Sequence, residues 1–358
     1  MNTGLTIPFT GLKRQYNNLR KEILDATDSV LASGILMDGP KTAQFEKWLA
    51  NKNKAKYAIT CHSGTQALEI IAEYYAQRLS MTPKILVPAL TFPASANAFI
   101  RAGWDIEFID TDAYGVMDLT QIDINESYHA VLAVGLYGAS VESFGRKYVG
   151  SIFEDAAQHW LANGCNRIST TAAISFDPMK NLGNYGNGGA VVTNDMEFAN
   201  FARGWRCHGK NTNHAEVGTN SRMSEVDCAQ MIVKAGYIDA WQHRRYLIAH
   251  HWMNQFKDAP LRCLITPDNI KQHALHKFVI DVDNRDEVAK KLAAAGIETK
   301  VHYQHPLHEL PAYQQYRSPT ILSAASSLSR RCLSLPIYPE LTDLEVEYLS
   351  NQVLGCVA

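Results

Sequence analysis

The sequence predicts an α/β protein whose largest unit is a mostly parallel sheet covered on both faces. Three observations lead there. Continuous apolar runs of strand length recur, among them KILVP, DIEFID, HAVLAVG, SIFED, AAISF and GAVVT, and a run without alternation marks a strand buried on both sides. Helical segments alternate with them, which calls for parallel strands joined by crossovers. Between AAISF and GAVVT the chain turns at Asp177-Pro178, passes a single Lys180 and enters Asn-Leu-Gly-Asn-Tyr-Gly-Asn-Gly-Gly. Such residues reach φ > 0 and let a ligand approach the backbone closely.

A lysine at that point is held by rigid backbone yet can face a cavity. A Schiff-base lysine needs this placement, because its amine must be positioned and deprotonated at neutral pH. A solvated surface charge is the simpler account of a lone loop lysine, so the other segments must decide.

In chain order, Leu19, Ile23, Ala26, Val30 and Leu31 fall at helical spacing, and Ser33-Gly34 closes that helix. A second helix carries Phe45, Trp48 and Leu49 on one face. KYAIT is a short strand, and Cys61-His62-Ser63-Gly64-Thr65 leads into the helix QALEIIAEYYAQRL. KILVP precedes a helix from Pro93 to Ala102, closed by Gly103. The remaining apolar runs complete a sheet unit over roughly residues 40 to 235. Ser224 with Asp227 is a capping box opening a long helix, breakable near Gly236 and running to about Phe256 as a connector. A smaller α+β unit follows: HKFVIDV as a strand, Asp286 to Ala295 as a helix ended by Gly296, ETKVHY as a strand, and Thr342-Asp343-Leu344-Glu345 capping the last helix. The expected division is 1–235, with the N-terminal helices, and 236–358.

A chain of 358 residues supports a large core and two units. Its 34 Lys+Arg and 36 Asp+Glu leave a net charge of −2 with no basic run, so nothing argues for nucleic acid or an anionic membrane. The seven cysteines are scattered and never form C-x-x-C, which argues against a disulfide framework and a zinc ribbon. The start, MNTGLTIPFTGLKRQ, lacks a cationic region followed by an apolar core, so no secretory signal is expected. The most apolar window, ILVPALTFPASANAFI, is broken by two prolines and reads as strand, turn and helix. A soluble cytoplasmic enzyme or binding protein is expected.

Several residues could carry chemistry. Ser63-Gly64-Thr65 joins a strand end to a helix start, where free N–H groups and two hydroxyls suit a phosphate; a plain N-cap is the simpler reading of the tripeptide alone. Asp155, in Glu154-Asp155, ends a buried strand on the side where open sheets bind ligands, or it caps a helix. Phe92 lies just past a strand end and could lay its ring against a flat ligand, or belong to the core. His302, His305 and His308 recur at intervals of three, but Pro306 breaks any helix and no cysteine or carboxylate pattern completes a metal set. G-x-S-x-G, Walker and G-x-G-x-x-G patterns are lacking, which leaves hydrolase, NTPase and Rossmann dehydrogenase readings unsupported.

Together the segments resemble the sugar aminotransferases of the DegT/DnrJ/EryC/StrS family. The likeness runs nearly end to end: GP-x-x-x-x-FE from Gly39, SGTQAL from Ser63, VPALTFPASANA from Val87, LYG from Leu136, EDAAQ from Glu154, SF-x-P-x-KNLG from Ser175, GNGGAVVTND from Gly186, HG from His208, NSRM from Asn220, GI-x-T-x-x-HY-x-x-PLH from Gly296 and LSLPIYPELTD from Leu333. The resemblance implies a pyridoxal-phosphate enzyme of the aspartate-aminotransferase kind (fold type I), a three-layer, mostly parallel α/β sheet with a smaller C-terminal α+β domain. It makes Lys180 the Schiff-base lysine and the proton-moving base, and Asp155 the partner of the pyridine nitrogen. Gln158 would bond the ring hydroxyl, Phe92 stack on the ring, and Ser63, Gly64, Thr65 and Ser175 bind the cofactor phosphate. Asn220 would reach that phosphate from the other subunit of a homodimer. Arg222, His302, Tyr303 and His308 fall where the family contacts the sugar nucleotide.

Three stretches depart from the family. The interval between EDAAQ and SF is short, ESFGRKYVGS replaces a fuller helix between LYG and EDAAQ, and HGKNTNHAEVGTNSRM is compact, without the aromatic that often precedes the Asn. These edits trim the sugar-pocket rim and leave the cofactor set intact. The implied reaction moves an amino group from glutamate to a nucleotide-linked keto-sugar by ping-pong transamination. Lys180 argues against the family's dehydratase branch, which carries histidine there. KNLG followed by GNGG resembles the carbon-3 members more than the G-E-G-G carbon-4 members, although Asn187 matches neither. The alternatives are a keto-cyclitol acceptor and a non-catalytic regulatory or scaffold role.

Overall fold

The structure is a computed structural model that describes residues 5–121, 128–141, 151–162, 165, 169, 171–210 and 213–357. The ESFGRKYVG segment, 142–150, lies outside them, as do parts of the other two shortened stretches. Two helices lead, α1 (Leu12–Ser33) and α2 (Pro40–Lys52). The sheet unit then runs through β1 (Tyr57–Cys61), α3 (Gly64–Ala76), β2 (Lys84–Pro88), α4 (Ala94–Arg101), β3 (Asp105–Ile109), β4 (Ala130–Val134), β5 (Ser151–Asp155), β6 (Thr171–Ser175) and β7 (Gly189–Thr193). After it come α5 (Met196–Trp205), α6 (Glu225–Ala235), α7 (Ile238–Phe256), β8 (Leu261–Cys263), β9 (Phe278–Val282), α8 (Arg285–Ala294), α9 (Ser323–Arg331), β10 (Cys332–Leu335) and α10 (Asp343–Val357).

The large sheet has the order β1-β7-β6-β5-β4-β2-β3. All neighbours are parallel except β7, which is antiparallel to both β1 and β6. Successive side chains point to opposite faces, and each face is covered. Ile59, Ile85, Phe108, Leu132, Phe153 and Val191 pack with α3, α4 and α5 on one side. On the other, Ala58, Ile174 and Val192 meet α2 and α6, while Leu86, Val131 and Ile152 form a further cluster. Burial on both faces is why these strands read as unbroken apolar runs, and it makes the three-layer α/β expectation correct.

A second, three-stranded antiparallel sheet, β10-β9-β8, carries a separate core with α7, α8 and α10. Ile7 is buried in that core and bridges to Ile297, so the first described residues join the smaller sheet's packing despite their place in the sequence. ETKVHY does not form the expected strand. Within it Lys300 makes a single bridge to Ser334, Ile297 just before it bridges Ile7, and the chain then turns at His302-Tyr303 toward the large sheet. On α1 the buried stripe is Leu19, Ile23 and Val30, with Leu31 exposed on the other side. No helix of the described residues is long and apolar enough to cross a membrane.

Helix α6 anchors two other elements. Its capping box at Ser224 and Asp227 is formed as expected, and the chain breaks at Gly236-Tyr237 before α7. Glu225, 1% exposed, accepts the amides of Gly39 (2.9 Å), Lys41 (2.8 Å) and Thr42 (2.7 Å) and the Thr42 hydroxyl. It thereby satisfies the free N–H groups at the start of α2. Lys234 donates to the Gly183 carbonyl (2.6 Å) and lies 3.7 Å from the centre of the Tyr185 ring. Asn184 bonds Asp227 at 2.8 Å. The loop following Lys180 is thus clamped from below by α6.

Burial alone would push the Glu225 carboxyl up; the bonds from Thr42, Lys41 and Gly39 outweigh it and hold it below the usual range. A depressed carboxyl stabilises the fold above its unfolded pKa, and that contribution is lost as pH falls through the folded value. Glu225→Ala is therefore expected to lower unfolding free energy by about 1–3 kcal/mol at neutral pH. In urea melts the gap from wild type should stay constant down to about pH 5 and narrow below about pH 4. A gap independent of pH in acid would refute this origin.

Candidate active site

The site forms where strand ends converge. Ser175 closes β6 opposite Gly189, and Cys61 closes β1 opposite the same glycine. A Cβ on Gly189 would lie 2.3 Å from the Ser63 carbonyl carbon, and one on Gly64 would lie 2.6 Å from the Ser175 Cβ. Only glycine permits this approach. The start of α3 is thereby pressed against the ends of β6 and β7, its Ser63 side chain capping the Gln66 amide at 3.2 Å. Asp155 ends β5 on the neighbouring parallel strand.

A cavity of about 410 Å³ opens above these ends. Ser63, Gly64, Thr65, Phe92, Asp155, Gln158, Ser175, Lys180, His302 and Tyr303, all expected from the sequence, line it. Asp155 accepts from the Ser95 hydroxyl (2.7 Å) and the Ala157 amide (3.2 Å), which fixes its carboxylate. Gln158 accepts the Tyr137 amide at 2.9 Å and points its amide nitrogen toward the Tyr303 hydroxyl at 3.4 Å. Tyr137 holds φ +62°, a conformation unfavourable for a side chain this large. That bond and a 2.5 Å bond from its hydroxyl to the His302 carbonyl secure it. Phe92 is 53% exposed and lies 5.9 Å, centre to centre, from the tilted Tyr303 ring. Its ring is a wall of the cavity, not part of the core.

The Lys180 amide is tied to the Asp177 carbonyl at 2.8 Å. Burial lowers the pKa of its side-chain amine, and the opposing charges of Asp155 and Asp177 restore only part of the shift. Two residues that motif reading passed over share the cavity, His276 and Lys277. Burial takes Lys277 down to about 7, with Lys180 and Arg245 adding to the shift, and takes His302 down to about 3. His276 is likewise held neutral by burial and by nearby cations. An apolar flank, HALHKFVIDV, hid them: the pair reads as the start of a strand.

Three expected residues are not brought to this cavity. Arg222 pairs with Asp38 at 3.0 Å. His308 turns its ring toward the Ser326 hydroxyl at 3.3 Å, because the short turn Leu307–Glu309 rotates it away from His302. Asn220 is exposed, bridged to Cys207, and outside the cavity of its own chain. Among the described residues no group of three or more His, Cys, Asp or Glu is placed to hold a metal.

A half-buried lysine with a lowered pKa and a fixed carboxylate at the strand ends of a three-layer α/β sheet define an aminotransferase-type site. The family model of the DegT/DnrJ/EryC1/StrS aminotransferases matches residues 17–354, and the chain belongs to that family. It is 31% identical to a pleiotropic regulatory protein of Geobacillus stearothermophilus, over 98% of each chain. It is 33% identical to the dTDP-3-amino-3,4,6-trideoxy-alpha-D-glucose transaminase of Streptomyces venezuelae, over 94% of this chain and 92% of that one. The crystal structure of S. venezuelae DesV in complex with a ketimine intermediate superposes with a TM-score of 0.90 at 30% identity, covering 98% of both chains. The protein is a transaminase dependent on pyridoxal phosphate. The cavity fits that group: amides and hydroxyls at the start of α3 for a phosphate, an aromatic wall at Phe92, and an anion at Asp155.

Because burial makes the Lys180 amine easier to deprotonate than a surface lysine, it should react ahead of exposed lysines in cofactor-free protein. Reductive methylation with formaldehyde at pH 7, read by peptide mass spectrometry, is expected to label Lys180 ahead of exposed lysines such as Lys21 or Lys47. Its rate should fall with decreasing pH as the amine takes a proton. Labelling slower than at the surface lysines would contradict the burial argument.

Proposed function

We propose that the protein transfers an amino group from glutamate to carbon 3 of a nucleotide-linked keto-sugar, in two half-reactions on one cavity. The observation that carries this is the shared cavity of the Lys180 amine and the Asp155 carboxylate. The carbon-3 assignment is supported by the printed name of the S. venezuelae relative and by KNLG with GNGG in this chain. The name of the Geobacillus relative points to a regulatory role, but a site with lysine and carboxylate both present favours catalysis.

When bound, pyridoxal phosphate supplies an aldehyde and an electron sink. Gly64 and Thr65 amides with the Ser63 and Ser175 hydroxyls would bind its phosphate, and Phe92 its ring face. Gln158, held by Tyr137, would orient the ring, and Asp155, held by Ser95, would keep a proton opposite it. The Lys180 Nζ, its amine made easier to deprotonate by burial, takes a proton from the substrate carbon and returns it. His302 and Tyr303 close the cavity on the substrate side. Asn220 is proposed to act in a homodimer. Its exposure outside its own cavity and the exposed apolar stretch Ile35, Leu36 and Met37 support a neighbouring subunit there.

A panel of nucleotide keto-sugars and keto-cyclitols, assayed with glutamate, tests the assignment. A nucleotide-linked 3-keto-sugar is expected to turn over best. Lys180→Ala should lose at least about 10³-fold in kcat while keeping its unfolding midpoint. It should also lose the cofactor fixed by borohydride. Turnover by Lys180→Ala at the wild-type rate would overturn the mechanism.

A further inference from the structure

Lys277 has no place in the scheme above, yet it lines the same cavity as Lys180 and Asp155. It precedes β9, its amide bonded to the Tyr137 carbonyl at 3.0 Å, and it is 7% exposed. Its ammonium lies 5.0 Å from the centre of the Phe9 ring. Among the described residues no carboxylate pairs with that ammonium and no acceptor bonds it. Lys180, Arg245 and Lys300 act on it as nearby cations and Asp177 as a nearby anion. Asp177 already accepts the Met179 amide at 2.9 Å. Arg245 is spent on backbone carbonyls, 2.5 Å from Ile337 and 3.3 Å from Leu275.

A cation removed from water without a partner is costly. Packing does not require it, since an apolar side chain of equal length would cover Phe9 as well. The cavity is open, so the missing anion can arrive with a ligand. The start of α3, with Gly64 and Thr65, already offers the cofactor phosphate its donors. The substrates bring the other anion. In an α-amino acid donor such as glutamate the carboxylate sits on the carbon that bears the amine, so it must lie beside Lys180 whenever that carbon does.

We propose that Lys277 is the counter-ion for a substrate carboxylate in this cavity, carried by the amino donor or by a sugar acid. The inference rests on the transaminase reading and names the group that selects its substrates. Donors lacking a carboxylate, such as simple amines, are then poor because Lys277 stays unpaired.

The holoenzyme, titrated calorimetrically with glutarate, tests this alongside Lys277→Met and Lys277→Arg. Met keeps the stem over Phe9 and removes the charge; Arg keeps the charge. Glutarate affinity is expected to fall by about tenfold or more in Lys277→Met and to be largely kept in Lys277→Arg. Cofactor content and absorbance should match wild type in both. If the carboxylate belongs to the donor, half-saturation by glutamate in single-turnover bleaching rises by a similar factor in Lys277→Met. If it belongs to the acceptor, preference for a keto-uronate over its neutral counterpart collapses instead. Unchanged glutarate, glutamate and uronate affinities in Lys277→Met would overturn the proposal. A wild-type enzyme that ignores glutamate would refute the donor assigned above, and the glutarate and uronate arms would still decide Lys277.

Discussion

The structure depends on a close approach of backbones at Gly189, Gly64 and Ser175. The ends of β1, β6 and β7 and the start of α3 meet there at distances that exclude a Cβ on either glycine. That junction sets the floor of the cavity and the direction in which the chain leaves β6. Lys180, one tight turn beyond Ser175, is carried back over the sheet into the cavity, half-buried. Asp155 on the adjacent strand end is brought to face it. A single register error at β6 would send Ser175 and the turn to the other face of the sheet.

Keeping that amine buried has an electrostatic consequence. Lys180 sits near two carboxylates, and burial still prevails over both in setting its pKa. The rest of the lining adds one further amine, Lys277, and two imidazoles held neutral, His276 and His302. The unliganded cavity therefore sets two carboxylates, Asp155 and Asp177, against two amines whose charge burial disfavours, Lys180 and Lys277. The proposed ligands add two further anions at places these carboxylates do not fill, a phosphate at the start of α3 and a carboxylate near Lys277. Groups that would be destabilising in a closed core are tolerated because the binding partner completes them.

Much of this was legible in the sequence, because the large sheet is buried on both faces and writes itself as unbroken apolar runs. Helix ends were equally readable: the capping boxes at Ser224 and Thr342 formed as written. The cavity lining followed from residues at strand ends, where side chains have one place to go. What escaped was set by tertiary turns with no periodic signal. ETKVHY has strand composition but leaves its neighbour after a single bridge, which delivers His302 and Tyr303 to the cavity and turns His308 away. His276 and Lys277 were unreadable for the opposite reason. They stand at the mouth of a regular strand, and only the packing of the smaller sheet against Tyr137 shows that they point inward.

The two sheets are joined through the site itself, and this explains why residues so far apart in sequence share one cavity. Tyr137 follows β4 of the large sheet, yet its amide, carbonyl and hydroxyl engage Gln158, Lys277 and the His302 carbonyl in turn. Asn181, next to the lysine, donates to Gln242 on α7 at 2.8 Å and to the Ala274 carbonyl at 2.6 Å. His276 lies 3.3 Å from the same Asn181 side chain. Apart from the Tyr137–Gln158 bond, these bonds tie α7 or a segment after it to the ends of β4 and β6. The smaller sheet therefore does more than close a lid over a finished site. Its position fixes the turn beyond Lys180, and a shift between the sheets would move the amine and the Lys277 charge together.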